Sequence, residues 1–77
     1  MPITIAFYGP LIDLTGKQKL VLENVRDTEA LRAKLLALYP DLARVAYVIA
    51  VDRTVVSTAV SLDDGSAVAL LPQYSGG

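Results

Sequence analysis

The chain predicts an α+β fold: a mixed sheet of four to five strands with one main helix, at about residues 28–39, across one face. Three observations lead there. Short apolar segments, some alternating and some continuous, are separated by Gly, Pro and Asp signals, the pattern of successive strands. A single stretch carries apolar residues at helical spacing. At 77 residues the chain holds one small domain, and one helix covers only one face of such a sheet.

The elements follow in order. Ile3 to Tyr8 alternates, with Ile3, Ile5 and Phe7 on one face, and Gly9-Pro10 stops it. Leu11 to Thr15 reads as a helical turn that tucks Leu11 and Leu14 under the sheet. Gly16 releases the chain into a second strand, Lys17 to Leu22, antiparallel to the first, with Leu20 and Leu22 sharing a face. Asp27 or Thr28 caps the helix, and Glu29 in its first turn suits the helix dipole. Leu31, Leu35, Leu38 and Leu42 make one apolar stripe, and Pro40 ends the helix at Tyr39. Val45 to Val51 is a nearly continuous apolar strand, followed by an Asp52-Arg53 turn and a short strand, Thr54 to Val56. Ser57 to Leu62 connects, anchored by Leu62, and Asp63-Asp64-Gly65 turns the chain. Ala67 to Leu71 is the last strand, ended by Pro72, which cannot donate to a ladder. This order is that of a ubiquitin-like β-grasp roll, with first and last strands side by side in the middle. Residues 1–71 form the domain and residues 72–77 a flexible tail.

Composition narrows the function. Leu, Ile, Val and Phe make up 26 of 77 residues, well above the range of disordered chains. The hydrophobic fraction of 53% is high for a small domain, which points to an outward apolar area and a protein partner. A net charge of −1 argues against nucleic-acid binding. No stretch reaches the roughly 18 apolar residues of a membrane span, and Met1 to Ile5 lacks the features of a signal peptide, so a cytoplasmic protein is expected. With no Cys and no His, thiol and imidazole catalysis and Cys/His zinc sites are excluded. No phosphate-binding glycine loop occurs, and no metal or bound cofactor is expected.

The tail holds the remaining chemistry. Pro72, Gln73, Tyr74, Ser75, Gly76 and Gly77, fully extended, reach about 20 Å. Two glycines fit a channel too narrow for side chains. The reactive group is the Gly77 α-carboxylate. It becomes electrophilic only as a mixed anhydride such as an acyl-adenylate, which another protein must make. The bland alternative is a frayed end.

The chain resembles the MoaD/ThiS family of ubiquitin-like sulfur carriers, over nearly its whole length. The resemblance rests on Ile5-Ala6-Phe7-Tyr8-Gly9 with Leu14-Thr15-Gly16, and on Thr28-Glu29-Ala30-Leu31-Arg32 with Tyr39-Pro40. It rests further on Ile49-Ala50-Val51-Asp52, on Asp64-Gly65 before Val68-Ala69-Leu70-Leu71-Pro72, and on Ser75-Gly76-Gly77. Asp52 stands where the family usually has Asn, Ser66 where it has Asp, and Pro72-Gln73 where two prolines are common. The Gly9-to-Gly16 excursion favours the molybdopterin branch.

The resemblance implies the small, sulfur-carrying subunit of molybdopterin synthase, without catalytic residues of its own beyond the Gly77 terminus. A ubiquitin-activating-like adenylyltransferase uses ATP to adenylate Gly77, and a sulfurtransferase converts it to a thiocarboxylate. The tail then enters the synthase large subunit and gives sulfur to a cyclic pyranopterin. The implied assembly holds two copies of each subunit. Alternatives are sulfur delivery to thiazole or cysteine synthesis, a modifier conjugated to lysines through Gly77, and an interaction module with an inert tail.

On the strand from 45 to 51, Tyr47, Ile49 and Val51 oppose Val48 and Ala50; on the last strand, Val68 and Leu70 oppose Ala67, Ala69 and Leu71. One set is core and the other is partner surface. Tyr47, Ile49, Val68 and Leu70, with Leu62, are taken as the candidate partner surface. Tyr74 packs beside the partner's channel or on its own sheet. Arg53 reads as a solvated turn residue, and Asp63 and Asp64 as turn formers rather than an acid–base pair.

Overall fold

A computed structural model describes residues 2–63 and 65–73. The elements are β1 (Ile3–Phe7), α1 (Pro10–Thr15), β2 (Lys19–Leu22), α2 (Thr28–Leu38), a 3₁₀ turn (Pro40–Arg44), β3 (Tyr47–Val51), β4 (Thr54–Val56) and β5 (Ala67–Pro72). They build one five-stranded sheet in the order β2-β1-β5-β3-β4. β1 and β5 pair in parallel at its centre, and the other neighbours are antiparallel. This is the β-grasp architecture read from the sequence.

β1 alternates as its sequence requires, with Ile3, Ile5 and Phe7 buried while Thr4 is exposed. The chain then reverses through Gly9. Its φ of 59° and ψ of −137°, with the Leu11 N–H donating to the Tyr8 carbonyl at 3.2 Å, make a type II′ turn with glycine at the first central position. Pro10 opens α1, Leu11 is fully buried, and Leu14 packs half-buried against the core. Gly16, at a φ of 73°, caps α1 in the left-handed conformation that glycine adopts without strain.

Asp27 caps α2, its Oδ1 accepting from the Ala30 N–H at 2.8 Å. Leu31 and Leu35 are fully buried beneath the sheet. The stripe does not continue to Leu38, which is 53% exposed. Pro40 breaks the helix, and the 3₁₀ turn swings Leu42 back into the core. Tyr39 packs edge-on against Phe7, with centroids 6.3 Å apart. These two side chains close that end of the core and leave Leu38 at its rim.

The segment between β4 and β5 is tied to the start of α2. The Thr28 N–H donates to the Val60 carbonyl at 2.9 Å, and the Val60 N–H donates to Thr28 Oγ1 at 3.0 Å. The Leu62 N–H donates to the Arg26 carbonyl at 2.8 Å, which seats Leu62 as the expected anchor.

Asp52 and Arg53 form the two-residue β3–β4 loop, both at positive φ (50° and 70°) as a type I′ turn requires. Asp52 also holds the start of β5. Its N–H donates to the Ala67 carbonyl at 2.8 Å, and its Oδ1 accepts from the Ala67 N–H at 3.0 Å. Arg53 has no such tie and carries the left-handed penalty of a β-carbon, about 1–2 kcal/mol. The two positions should therefore respond oppositely. Asp52→Ala lowers stability by about 1 kcal/mol, the size of a lost hydrogen bond. Arg53→Gly raises it by up to about 1 kcal/mol, or roughly 4–8 °C in a domain of this size. Urea and thermal unfolding of the two variants measure both shifts.

Candidate functional site

The candidate site is the root of the tail and the sheet face beside it. β5 is flanked on both sides as far as Leu70, by Phe7 of β1 and by Ile49 of β3. Past that point β1 has turned away at Gly9, while pairing with the β3 side continues. Pro72 stands opposite Tyr47, and the Gln73 N–H donates to the Ala46 carbonyl at 3.2 Å. Hydrogen-bonded and non-bonded pairs alternate in an antiparallel ladder. Because Gln73 bonds across to Ala46, Pro72 occupies a non-bonded position, and its nitrogen faces the side that β1 has vacated. A proline therefore fits here without removing a ladder bond. The sheet thus includes Pro72 and reaches Gln73, beyond the expected end of the domain at residue 71. Tyr74, Ser75, Gly76 and Gly77 lie outside the described residues.

The two faces of the sheet divide differently from the expected partner surface. Ile49, Val68, Leu70 and Leu62 are at most 7% exposed and belong to the core beneath α2. Tyr47 is half-buried against that core, and the Arg32 guanidinium lies 5.3 Å from its ring centroid. These five do not form an outer surface. Strand alternation places Tyr47, Ile49, Val68 and Leu70 on the helix side, where the apolar stripe of α2 needs partners, and the Leu62 N–H bond to the Arg26 carbonyl seats Leu62.

The opposite set faces outward. Register lines up Lys19, Ala6, Ala69, Ala50 and Val55 across all five strands. Val48 and Leu71 sit opposite one another nearer the tail root, and Thr4 and Val21 lie toward the other end. Val55 and Val21 are more than half exposed, and Val48 and Leu71 are half-buried. Ala6, Ala69 and Ala50 run across the middle of this face; Ala6 and Ala69 are half-buried, and Ala50 is buried at 5% exposure.

The sequence carried a signal for this face. Ala6 on β1, Ala50 on β3 and Ala67 and Ala69 on β5 alternate with larger residues that face the leucines of α2, although Val48 and Leu71 share the alanines' face. Tyr8, one residue past β1, adds an exposed aromatic, 49% accessible, near the tail root.

Elsewhere the surface offers little chemistry. A recess of about 130 Å³ between α2 and β4 is lined by Thr28, Glu29, Arg32, Ile49, Val56, Ser57, Thr58 and Ala59. Asp63 is an exposed turn residue whose N–H donates to Ser66 Oγ at 2.9 Å; Asp64 lies outside the described residues. Arg53 is exposed at its turn. Among the described residues no cluster of acidic, Cys or His side chains is arranged to hold a metal ion, and no helix is long and apolar enough to cross a membrane.

The ThiS family model matches residues 5–77. No curated protein sequence matches the chain. Among solved structures, it is similar to a Pyrococcus furiosus chain described as molybdopterin converting factor, subunit 1. Identity is 17%, the match covers 94% of this chain and 97% of that one, and the TM-score is 0.84. SAMP1 from Haloferax volcanii is 16% identical over 100% of both chains, with a TM-score of 0.80. A chain from the complex of subunits 1 and 2 of the molybdopterin-converting factor of Helicobacter pylori 26695 is 25% identical over 100% of both chains, with a TM-score of 0.73.

The division of faces has a direct stability test on adjacent residues of β5. Leu70→Ala opens a cavity in the core and should cost about 2–5 kcal/mol. Leu71→Ala, one residue on and on the outer face, should cost about 1 kcal/mol or less. Urea midpoints of the two variants decide between the faces; a larger loss at Leu71 contradicts this division.

Proposed function

This chain belongs to the ThiS family of ubiquitin-like sulfur carriers, and on that footing we propose that it is the sulfur-carrying small subunit of molybdopterin synthase. The observation that carries the reading is the family match, which runs through residue 77 and so takes in Gly76-Gly77, next to a tail root held at the end of a central strand. The molybdopterin branch is supported by the likeness to the Helicobacter pylori chain, solved in complex with subunit 2 and 25% identical over its full length.

The chemistry divides between this chain and its partners. The Gly77 carboxylate attacks the α-phosphate of ATP on an adenylating enzyme, forming an acyl-adenylate and releasing pyrophosphate. A persulfide sulfur of a sulfurtransferase attacks the acyl carbon, and AMP leaves. A second thiol reduces the resulting acyl disulfide, leaving the thiocarboxylate on Gly77 and a disulfide on the donor. Tyr74, Ser75, Gly76 and Gly77 then enter the large subunit, and the sulfur passes to a cyclic pyranopterin.

The body of the domain contributes docking and a fixed origin for the tail. In this reading the docking surface is the face away from α2, where Ala6, Ala69, Val48 and Leu71 are half-buried, rather than Leu62, Val68, Leu70, Tyr47 and Ile49. Its aliphatic character supplies area to bury. Partners that use this face in turn must exclude one another.

Incubation with the adenylating enzyme, ATP and a persulfide donor should replace one oxygen of the chain by sulfur, read by intact mass. An unchanged mass with active partners contradicts sulfur carriage. Transfer from the thiocarboxylate to a thiazole precursor, but not to the pyranopterin in the presence of the large subunit, overturns the assignment to molybdopterin synthase. Deleting Gly77 should abolish sulfur uptake and leave the unfolding midpoint unchanged, because a glycine has no side chain to add to a core.

A further inference from the structure

We propose that Gly9 is a positioning residue for the donor terminus: its bare backbone forms the wall against which the Pro72 ring sets the direction in which the chain leaves the sheet. The inference rests on the sulfur-carrier reading, since it concerns how that terminus is aimed.

Two independent constraints meet at the tail root. On the β3 side, the Gln73 N–H is tied to the Ala46 carbonyl at 3.2 Å. On the other side, where β1 has ended, no strand remains to guide β5. The turn at Gly9 fills that place. A β-carbon on Gly9 would lie 3.2 Å from Cγ of Pro72 and 3.7 Å from its Cδ. The first distance is tighter than ordinary van der Waals contact, so a β-carbon there requires the proline ring to yield by a few tenths of an ångström. The Pro72 ring fixes φ, so a displacement beyond what puckering at Cγ absorbs turns the backbone that follows. Gly9 itself is held in place. Its backbone angles define the type II′ turn, and Leu11, fully buried just beyond, anchors α1 beneath the sheet.

Gly9 thus meets two separate demands. The turn needs positive φ, and the tail root needs an absent side chain. Only the second concerns sulfur transfer, and a double-mutant cycle separates them. Gly9→Ala strains the turn and pushes on Pro72. Pro72→Ala removes the ring atoms that would be struck. The turn strain is the same in both backgrounds and cancels in the cycle.

The first measurement uses the chain alone. Amide hydrogen exchange at Gln73, relative to Leu70, should be about fivefold or more faster in Gly9→Ala than in wild type. Gly9→Ala/Pro72→Ala should match Pro72→Ala alone. The second measures thiocarboxylate formation with the adenylating enzyme, ATP and a persulfide donor. Gly9→Ala should lower kcat about tenfold, with KM within about twofold, because the body still docks while the terminus is misplaced. In the Pro72→Ala background, adding Gly9→Ala should change kcat little.

Equal effects of Gly9→Ala in both backgrounds overturn the proposal, as does unchanged Gln73 exchange. Should Gly9→Ala not fold, Pro72→Ala alone decides: loss of the ring should speed Gln73 exchange, and no change overturns the proposal. A wild-type chain that takes up no sulfur refutes the carrier reading instead. The exchange measurement, which needs no partner, still decides whether Gly9 fixes the root.

Discussion

The parallel pairing of β1 with β5 is the constraint on which the rest of this molecule depends. It joins the two ends of a 77-residue chain in the centre of one sheet, so every other element must be placed around it. Parallel strands need a long crossover, and α2 lies within it, on one face of the sheet. The same pairing fixes register. Ile5 stands beside Val68 and Phe7 beside Leu70, and β3 extends both rows through Val51 and Ile49. A slip of one residue in β5 would turn Val68 and Leu70 outward and bring alanines over α2. The buried row and the alanine row are therefore two consequences of one alignment.

That division accounts for the high apolar fraction. The large side chains Ile3, Ile5, Phe7, Ile49, Val51, Val68 and Leu70 meet Leu31, Leu35 and Leu42 in a single core. The other face is also apolar but is built mostly from small residues. It is less buried than the helix side: Ala6, Val48, Ala69 and Leu71 are half-buried, and Val21 and Val55 are more than half exposed. An exposed apolar area of this kind is a feature of surfaces that associate with other proteins.

Much of this was legible in the sequence, and the limits have physical causes. The element order, a helix cap at Asp27 or Thr28 and the anchor at Leu62 follow from local patterns of periodicity, turn residues and capping chemistry, while the central pairing follows from the β-grasp roll that this order matches. Which alternate set faces the helix did not follow, because a strand such as Tyr47–Val51 is apolar on both sides and periodicity alone gives no sign. The alanines were the usable signal, since a core under leucines needs volume and Ala50 and Ala69 cannot supply it. Leu38 fits the helical stripe by spacing and still lies at the rim, because Pro40 returns Leu42 to the position that a longer helix would have given its next turn. The role of Gly9 was hidden for another reason. It depends on a contact with Pro72, 63 residues further on, and glycine in a Gly-Pro pair already has a sufficient local explanation as a turn.

The placement of the tail root on a central strand has a mechanical consequence. A segment that follows an edge strand has pairing on one side only, and its base frays with that edge. Here β5 is paired on both sides through Leu70, then on one side through Gln73, with Gly9 standing in on the other. The transition from sheet to tail therefore takes place over about three residues. The four residues after Gln73 extend at most about 14 Å. Over that reach, displacement of the far end grows in proportion to both the length and the change of angle at the base. A terminus that must meet a reactive atom gains more from a fixed base than from a longer tail, because added length raises the number of positions to be searched while a fixed base lowers it. The closure of the root by a glycine on one side and a ladder bond on the other meets that requirement with no dedicated side chain.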